Sequence, residues 1–102
     1  MSMLHTVNKS PFERNSLDAC LRMAQAGNSV LLIEDGIYAA MNGTKVAPKL
    51  AEAMPDIEVY ALGPDLAARG VAENKLITGI KVVGYEGFVD LVTSHERVQS
   101  WL

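Results

Sequence analysis

Cysteine is nearly absent: Cys20 is the only one in 102 residues. An intramolecular disulfide is therefore excluded, as is any metal site built from several thiolates, and stability falls to packing and to contacts with neighbouring chains. Histidine is almost as scarce, with His5 and His95 alone, and neither has a second ligand at metal spacing, so zinc has no footing. No apolar run reaches the roughly 20 residues that span a bilayer. The opening from Met1 to Thr6 lacks both the basic region and the long apolar stretch of a signal peptide. The expectation is a cytoplasmic chain with no membrane partner. Positive charge is in short supply too. Nine Lys and Arg face twelve Asp and Glu, for a formal net charge of −3, and the cations form no run. Affinity for phosphate backbones rests on clustered Lys and Arg, so direct nucleic-acid contact is disfavoured. The glycines at 79, 84 and 87 do not form a dinucleotide fingerprint, Gly43-Thr44-Lys45 lacks the first glycine and the order of a P-loop, and no G-x-S-x-G elbow occurs. Nucleotide-binding and hydrolase readings therefore fail.

The chain is rich in core-forming residues, at 49% hydrophobic against 21% charged. Its length suits one compact domain over 1–102, since single cores hold roughly 100 to 150 residues. Met3 to Val7 reads as a first strand. Ser10-Pro11-Phe12-Glu13 has the form of a capping box, with a second possible helix start at Asn15 or Ser16. The helix is expected to run through Ala26 and stop at Gly27. Val30 to Ile33 is a continuous apolar run, as expected of a central parallel strand covered on both faces. A short helix over Gly36 to Met41 follows, then a helix over Lys45 to Met54 in which Pro48 signals either a late start near Ala47 or a kink. Ile57 to Leu62 is a third strand, Asp65 to Arg69 a short helix closed by Gly70, and Ile80 to Val83 a fourth strand. Tyr85 to Thr93 is read as helix, although periodicity leaves Phe88 to Val92 open between helix and strand. The chain then ends in a last turn at Trp101. Such alternation predicts a mostly parallel sheet of four to five strands with helices on its faces, an α/β fold.

Cys20 is the residue with the strongest intrinsic nucleophilicity. A thiolate can attack a sulfane sulfur, hold it as a persulfide and pass it to a second thiol by the displacement chemistry of thiol and disulfide exchange, with neither metal nor cofactor. That chemistry needs partial exposure and a lowered pKa, to which Arg22 and the more distant Arg14 can contribute. The competing reading is core packing: Leu17, Cys20, Leu21 and Ala24 share one helical face, and free cysteine often acts as a small buried hydrophobe. Spacing alone favours packing. His5 fits a hydrogen-bonded structural histidine better than a general base, and His95 a surface residue or cap. Glu34-Asp35-Gly36 ends the central strand, where open α/β sheets place binding sites, but Asp-Gly is also plain turn chemistry. A domain this small gains apolar burial by packing against relatives, and Tyr38, Met41 and Trp101 are the expected interface residues.

Several segments together resemble one family. Met3-Leu4-His5-Thr6-Val7-Asn8-Lys9-Ser10-Pro11-Phe12 looks like the start of the DsrH/TusB family, and Leu31-Leu32-Ile33-Glu34-Asp35-Gly36-Ile37-Tyr38-Ala39-Ala40 like its second landmark. Val59-Tyr60-Ala61-Leu62, Asp65-Leu66-Ala67-Ala68-Arg69-Gly70 and Tyr85-Glu86-Gly87-Phe88-Val89-Asp90-Leu91 are similar to the rest, in order and over nearly the whole chain. The resemblance implies a DsrE-like three-layer α/β/α sandwich. It also implies a sulfurtransferase complex that relays persulfide sulfur, in which DsrE-like and DsrF-like subunits join this one in an α2β2γ2 heterohexamer and DsrC-like and TusA-like proteins carry the sulfur. The principal persulfide cysteine of such complexes belongs to the DsrE/TusD subunit. Cys20 in the first helix looks like the DsrH branch, of cytoplasmic sulfur oxidation, and tips the reading toward Cys20 as a catalytic sulfur carrier. A TusB-like subunit of the relay for tRNA 2-thiouridine, or a non-catalytic docking subunit, is the alternative.

Overall fold

The computed structural model describes residues 2–102. Five strands form one sheet: β1 (Met3–Val7), β2 (Ser29–Leu32), β3 (Glu58–Leu62), β4 (Lys81–Val83) and β5 (Arg97–Trp101). They lie in the order β4-β3-β2-β1-β5, and every neighbouring pair is parallel. The helices are α1 (Ser16–Met23), α2 (Ala47–Ala53), α3 (Gly63–Ala68) and α4 (Tyr85–Ser94), with short 3-10 segments at Glu34–Ala40 and Glu73–Lys75.

This order decides which face each helix covers. Three successive crossovers, from β1 to β4, step in one direction across the sheet, and right-handed connections put their helices on the same side. The last crossover, from β4 back to the far edge at β5, runs the other way, so the same handedness puts α4 on the opposite side. The packing agrees. Val7, Val30, Leu32, Val59 and Ala61 point to one face and pack with Leu17 and Cys20 of α1, Leu50 of α2 and Leu66 of α3. Leu4 and Leu31 point to the other and pack with Leu91 and the partly buried Phe88 of α4. The result is the expected three-layer sandwich with unequal outer layers.

The central strands carry the apolar runs because both of their faces are covered: all four residues of β2 are buried. Elsewhere the boundaries shift for identifiable reasons. The capping box at Ser10 does not form. Ser10 Oγ accepts the Phe12 amide at 3.2 Å and Ser10 O accepts the Glu13 and Arg14 amides, which closes a turn. The helix takes the later start, Ser16. It also ends at Met23 rather than Ala26, because Asn28 Oδ1 accepts the Gln25 amide at 3.1 Å and so removes the next helical donor. Gly27 then adopts φ 88° in the turn closed by Asn28 N–H to Gln25 O. Pro48 sits in the first turn of α2, in keeping with the late start at Ala47, and Phe88 to Val92 is helix.

One element differs in kind. The segment read as a last turn ending in Trp101 is a full edge strand, in register with β1 from Met3↔Arg97 to Val7↔Trp101. Its first four residues are exposed, so they carry little of the apolar alternation by which a strand is recognised. The vacant edge of β1, not local preference, extends this segment.

Candidate functional site

Cys20 sits in the second turn of α1 with its side chain turned into the sheet. It is 0% exposed and belongs to the cluster with Val7, Leu17, Val30 and Leu50. Burial alone pushes its thiol up from an ordinary 9.0 to about 12, because an apolar surrounding disfavours the thiolate. Arg14 and Arg22, expected to supply positive potential, are both exposed and leave no imprint on the thiol. The partial exposure and lowered pKa that persulfide transfer requires are thus not present at Cys20 in this fold.

His5 is likewise buried, at 1% exposure. Trp101 Nε1 donates to His5 Nδ1 at 3.0 Å, and the other ring nitrogen lies 3.1 Å from Asn28 Oδ1. The indole N–H can only donate, so Nδ1 must accept, and His5 is the neutral tautomer that donates from Nε2 to Asn28. Both nitrogens are occupied, which removes His5 as a base toward a thiol and makes it the pin between β1, β5 and the turn before β2. His95 follows α4. Its Nδ1 lies 2.7 Å from Leu91 O and its Nε2 2.9 Å from Ser29 Oγ, an arrangement that closes the helix end and ties it to β2. The sequence reading anticipated both roles in kind, but not Asn28, which serves the His5 ring and the Gln25 amide together.

Glu34-Asp35-Gly36 stands at the carboxyl end of β2 as expected, but its bonds are structural. Glu34 has a left-handed φ of 49°, and its amide donates to Asp65 Oδ2 at 2.6 Å. Asn8 Nδ2 donates to Glu34 Oε2 and Arg69 Nε to Asp35 Oδ1. A Cβ on Gly36 would lie 2.0 Å from the Val7 carbonyl oxygen, so only glycine lets this turn pack on the end of β1. The residues join the ends of β1, β2 and α3, and they bring together no nucleophile. Among the described residues, no group of three or more His, Cys, Asp and Glu is placed to hold a metal ion.

The expected interface residues are partly covered by the chain itself. Tyr38 and Trp101 pack partly buried against the core, and Met41 is partly buried in a bridge to Leu76. The exposed apolar side chains lie elsewhere. Tyr85, Val89 and Val92 recur at i, i+4 and i+7 along the outer side of α4, with Tyr85 63% and Val89 60% exposed. Val98 of β5, register partner of Leu4, is exposed on the same face of the sheet. That spacing was legible in the sequence, but which side of the helix met the sheet was not.

A family model described as DsrH like protein matches residues 9–98. The chain belongs to the DsrH family. Within the curated proteins, it is 41% identical to Protein TusB of Enterobacter sp. (strain 638) and 36% identical to Protein TusB of Escherichia coli (strain K12), in each case over 97% of this chain and 100% of the relative. The fold is shared more widely. The crystal structure of the ychN protein from E. coli superposes with a TM-score of 0.86 at 18% identity over 98% of both chains. A protein of unknown function from Methanobacterium thermoautotrophicum does so with 0.74 at 15%, over 96% of this chain and 97% of that one. Membership of the DsrH family is what the sequence resemblance pointed to, and it puts the chain among sulfur-relay subunits. The names of the relatives correct one branch of that reading: they favour TusB over the sulfur-oxidation subunit that Cys20 had suggested. Among the described residues no helix is long and apolar enough to cross a membrane.

Proposed function

We propose that this chain is a TusB-type subunit of a cytoplasmic sulfur relay serving 2-thiouridine synthesis in tRNA, and that it acts there as a structural and docking subunit while a DsrE/TusD-type partner carries the persulfide. One observation carries the division of labour: the only sulfur nucleophile of the chain is a core side chain, fully buried and pushed up to about 12. A relay thiol must meet another protein's thiol, and Cys20 would first have to leave the core. The identity to proteins named TusB supports the tRNA branch. The outward stripe of Tyr85, Val89 and Val92 supports assembly with related subunits, since exposed apolar rows of this kind mark protein interfaces.

Two linked experiments test this reading. The intact complex is exposed to a persulfide donor, alkylated, and each chain weighed by mass spectrometry. The expected result is an adduct on a partner chain and none on Cys20. In cells lacking this chain, the Cys20→Ala form is expected to restore tRNA 2-thiouridine as well as the natural one does. A sulfur adduct on Cys20, together with failure of Cys20→Ala to restore thiolation, would return the transfer step to this chain.

A further inference from the structure

Four of the nine basic residues, two in or just before α1 and two in or just before α2, come together on the α1 and α2 side of the sheet. Pro11, Phe12, Arg14, Leu17, Asp18, Lys45, Val46 and Lys49 line a groove of about 270 Å³ between the start of α1 and the start of α2. A second depression of about 380 Å³ continues it along α1 with Asp18, Leu21, Arg22 and Lys49. The combined lining holds Arg14, Arg22, Lys45 and Lys49 against a single carboxylate, Asp18, which Lys49 already pairs at 2.5 Å. Arg14, Arg22 and Lys45 form no ion pair among the described residues. Phe12 lies at the groove, 57% exposed.

We infer that this groove binds an acidic, apolar-containing segment of a partner protein. The charge is the first argument. The chain as a whole is net negative, with twelve acidic residues to nine basic, yet this groove concentrates positive charge that its own surface leaves unmatched. Charge complementarity of this kind selects and orients an acidic partner. The apolar floor is the second. Leu21, Val46 and the exposed Phe12 ring give a leucine or aromatic side chain somewhere to sit, and partly exposed aromatics beside arginines are the usual anchors of protein interfaces. A nucleic acid fits less well: phosphate recognition adds up over many contacts along a strand, and beyond these four cations the strand would meet a predominantly acidic surface. The inference stands apart from the proposed relay role, since it concerns the α1 and α2 side of the molecule and does not depend on where sulfur travels.

The test is fluorescence anisotropy on the purified full-length chain with a labelled synthetic peptide of alternating Asp and Glu containing one Leu and one Phe. Its controls are a peptide in which Asn and Gln replace the acids and a short double-stranded RNA. Binding of the acidic peptide is expected to weaken as salt is raised. The double variant Arg14→Glu with Lys45→Glu is expected to weaken it by about tenfold or more, because two attractions become repulsions. Lys81→Glu, on the α4 side of the sheet, is expected to leave it unchanged. Phe12→Ala, a surface change that retains the charges, is expected to weaken the acidic peptide without changing its salt dependence. Circular dichroism confirms that each variant is folded, and Phe12→Ala keeps the test decisive should the double variant fail to fold. Equal binding of the neutral peptide, tighter binding of the RNA, or variants that bind as the natural chain does would each overturn the inference.

Discussion

The two faces of the sheet are built differently. One is covered by α1, α2, α3 and the 3-10 segment at Glu34–Ala40, and every apolar side chain of the central strands that points there is buried. The other is covered by α4 alone, whose inner side buries Leu91 while its outer side leaves Tyr85, Val89 and Val92 in solvent. The difference follows from topology: three crossovers feed one face and a single returning crossover feeds the other. It teaches that the one cysteine, on the inner side of α1, is sealed beneath the fuller layer, whereas the exposed apolar row lies on the thinner side, which carries no cysteine.

The largest effect expected lies at the end of the closed face. Gly36→Ala forces a Cβ to within 2.0 Å of the Val7 carbonyl oxygen, and a backbone collision of that kind should cost more than about 3 kcal/mol or prevent folding. Urea unfolding followed by circular dichroism measures it, and a folded variant of unchanged midpoint would mean that the corner between β1 and β2 is looser than described.

An intermediate effect is expected at Cys20. Cys20→Ser buries a hydroxyl in an apolar cluster and should cost about 1–3 kcal/mol, while Cys20→Ala costs about 1 kcal/mol through a small cavity. An exposed thiol would tolerate both without loss. The pH dependence carries the same distinction. The folded thiol ionises near 12 and the unfolded one near 9.0, so its contribution is fully present below pH 9 and is lost as pH rises toward 12, when only the unfolded chain can ionise. Tyr60, raised to about 12 by burial and by its bond to Glu58, adds to that alkaline loss. Denaturation midpoints across this range should fall less steeply for Cys20→Ala than for the natural chain, with the share owed to Tyr60 remaining.

The smallest effect on stability should come from the open face. Val89→Lys with Val92→Lys places charge where the side chains already meet water and should change stability by no more than about 0.5 kcal/mol. The same change should abolish co-purification with partner subunits. A large loss of stability would mean that α4 buries these valines, and unchanged co-purification would move the interface elsewhere.

Much of this architecture was legible beforehand because short-range chemistry and long-range packing agree in the middle of the sheet. Val30 to Leu32 form a buried strand on the strength of an unbroken apolar run, and the turn at Gly27 follows from a residue that tolerates positive φ. The misreadings fall where a segment takes its form from a distant partner. Arg97–Trp101 is a strand because β1 offers an edge, α1 stops early because the Asn28 side chain captures an amide, and four cations that look scattered along the chain gather when α1 and α2 pack side by side.

From residue order and periodicity come the fold class, the central strands and the presence of one thiol on an apolar helical stripe, and from the resemblance of several segments comes the family. Local preference and apolar spacing are properties of a short stretch of chain, so they survive without coordinates. Whether that thiol could react, which side of α4 faced water and where positive charge accumulated depended on which elements lay against one another. Burial is a relation between distant segments, and the sense of each crossover decides it.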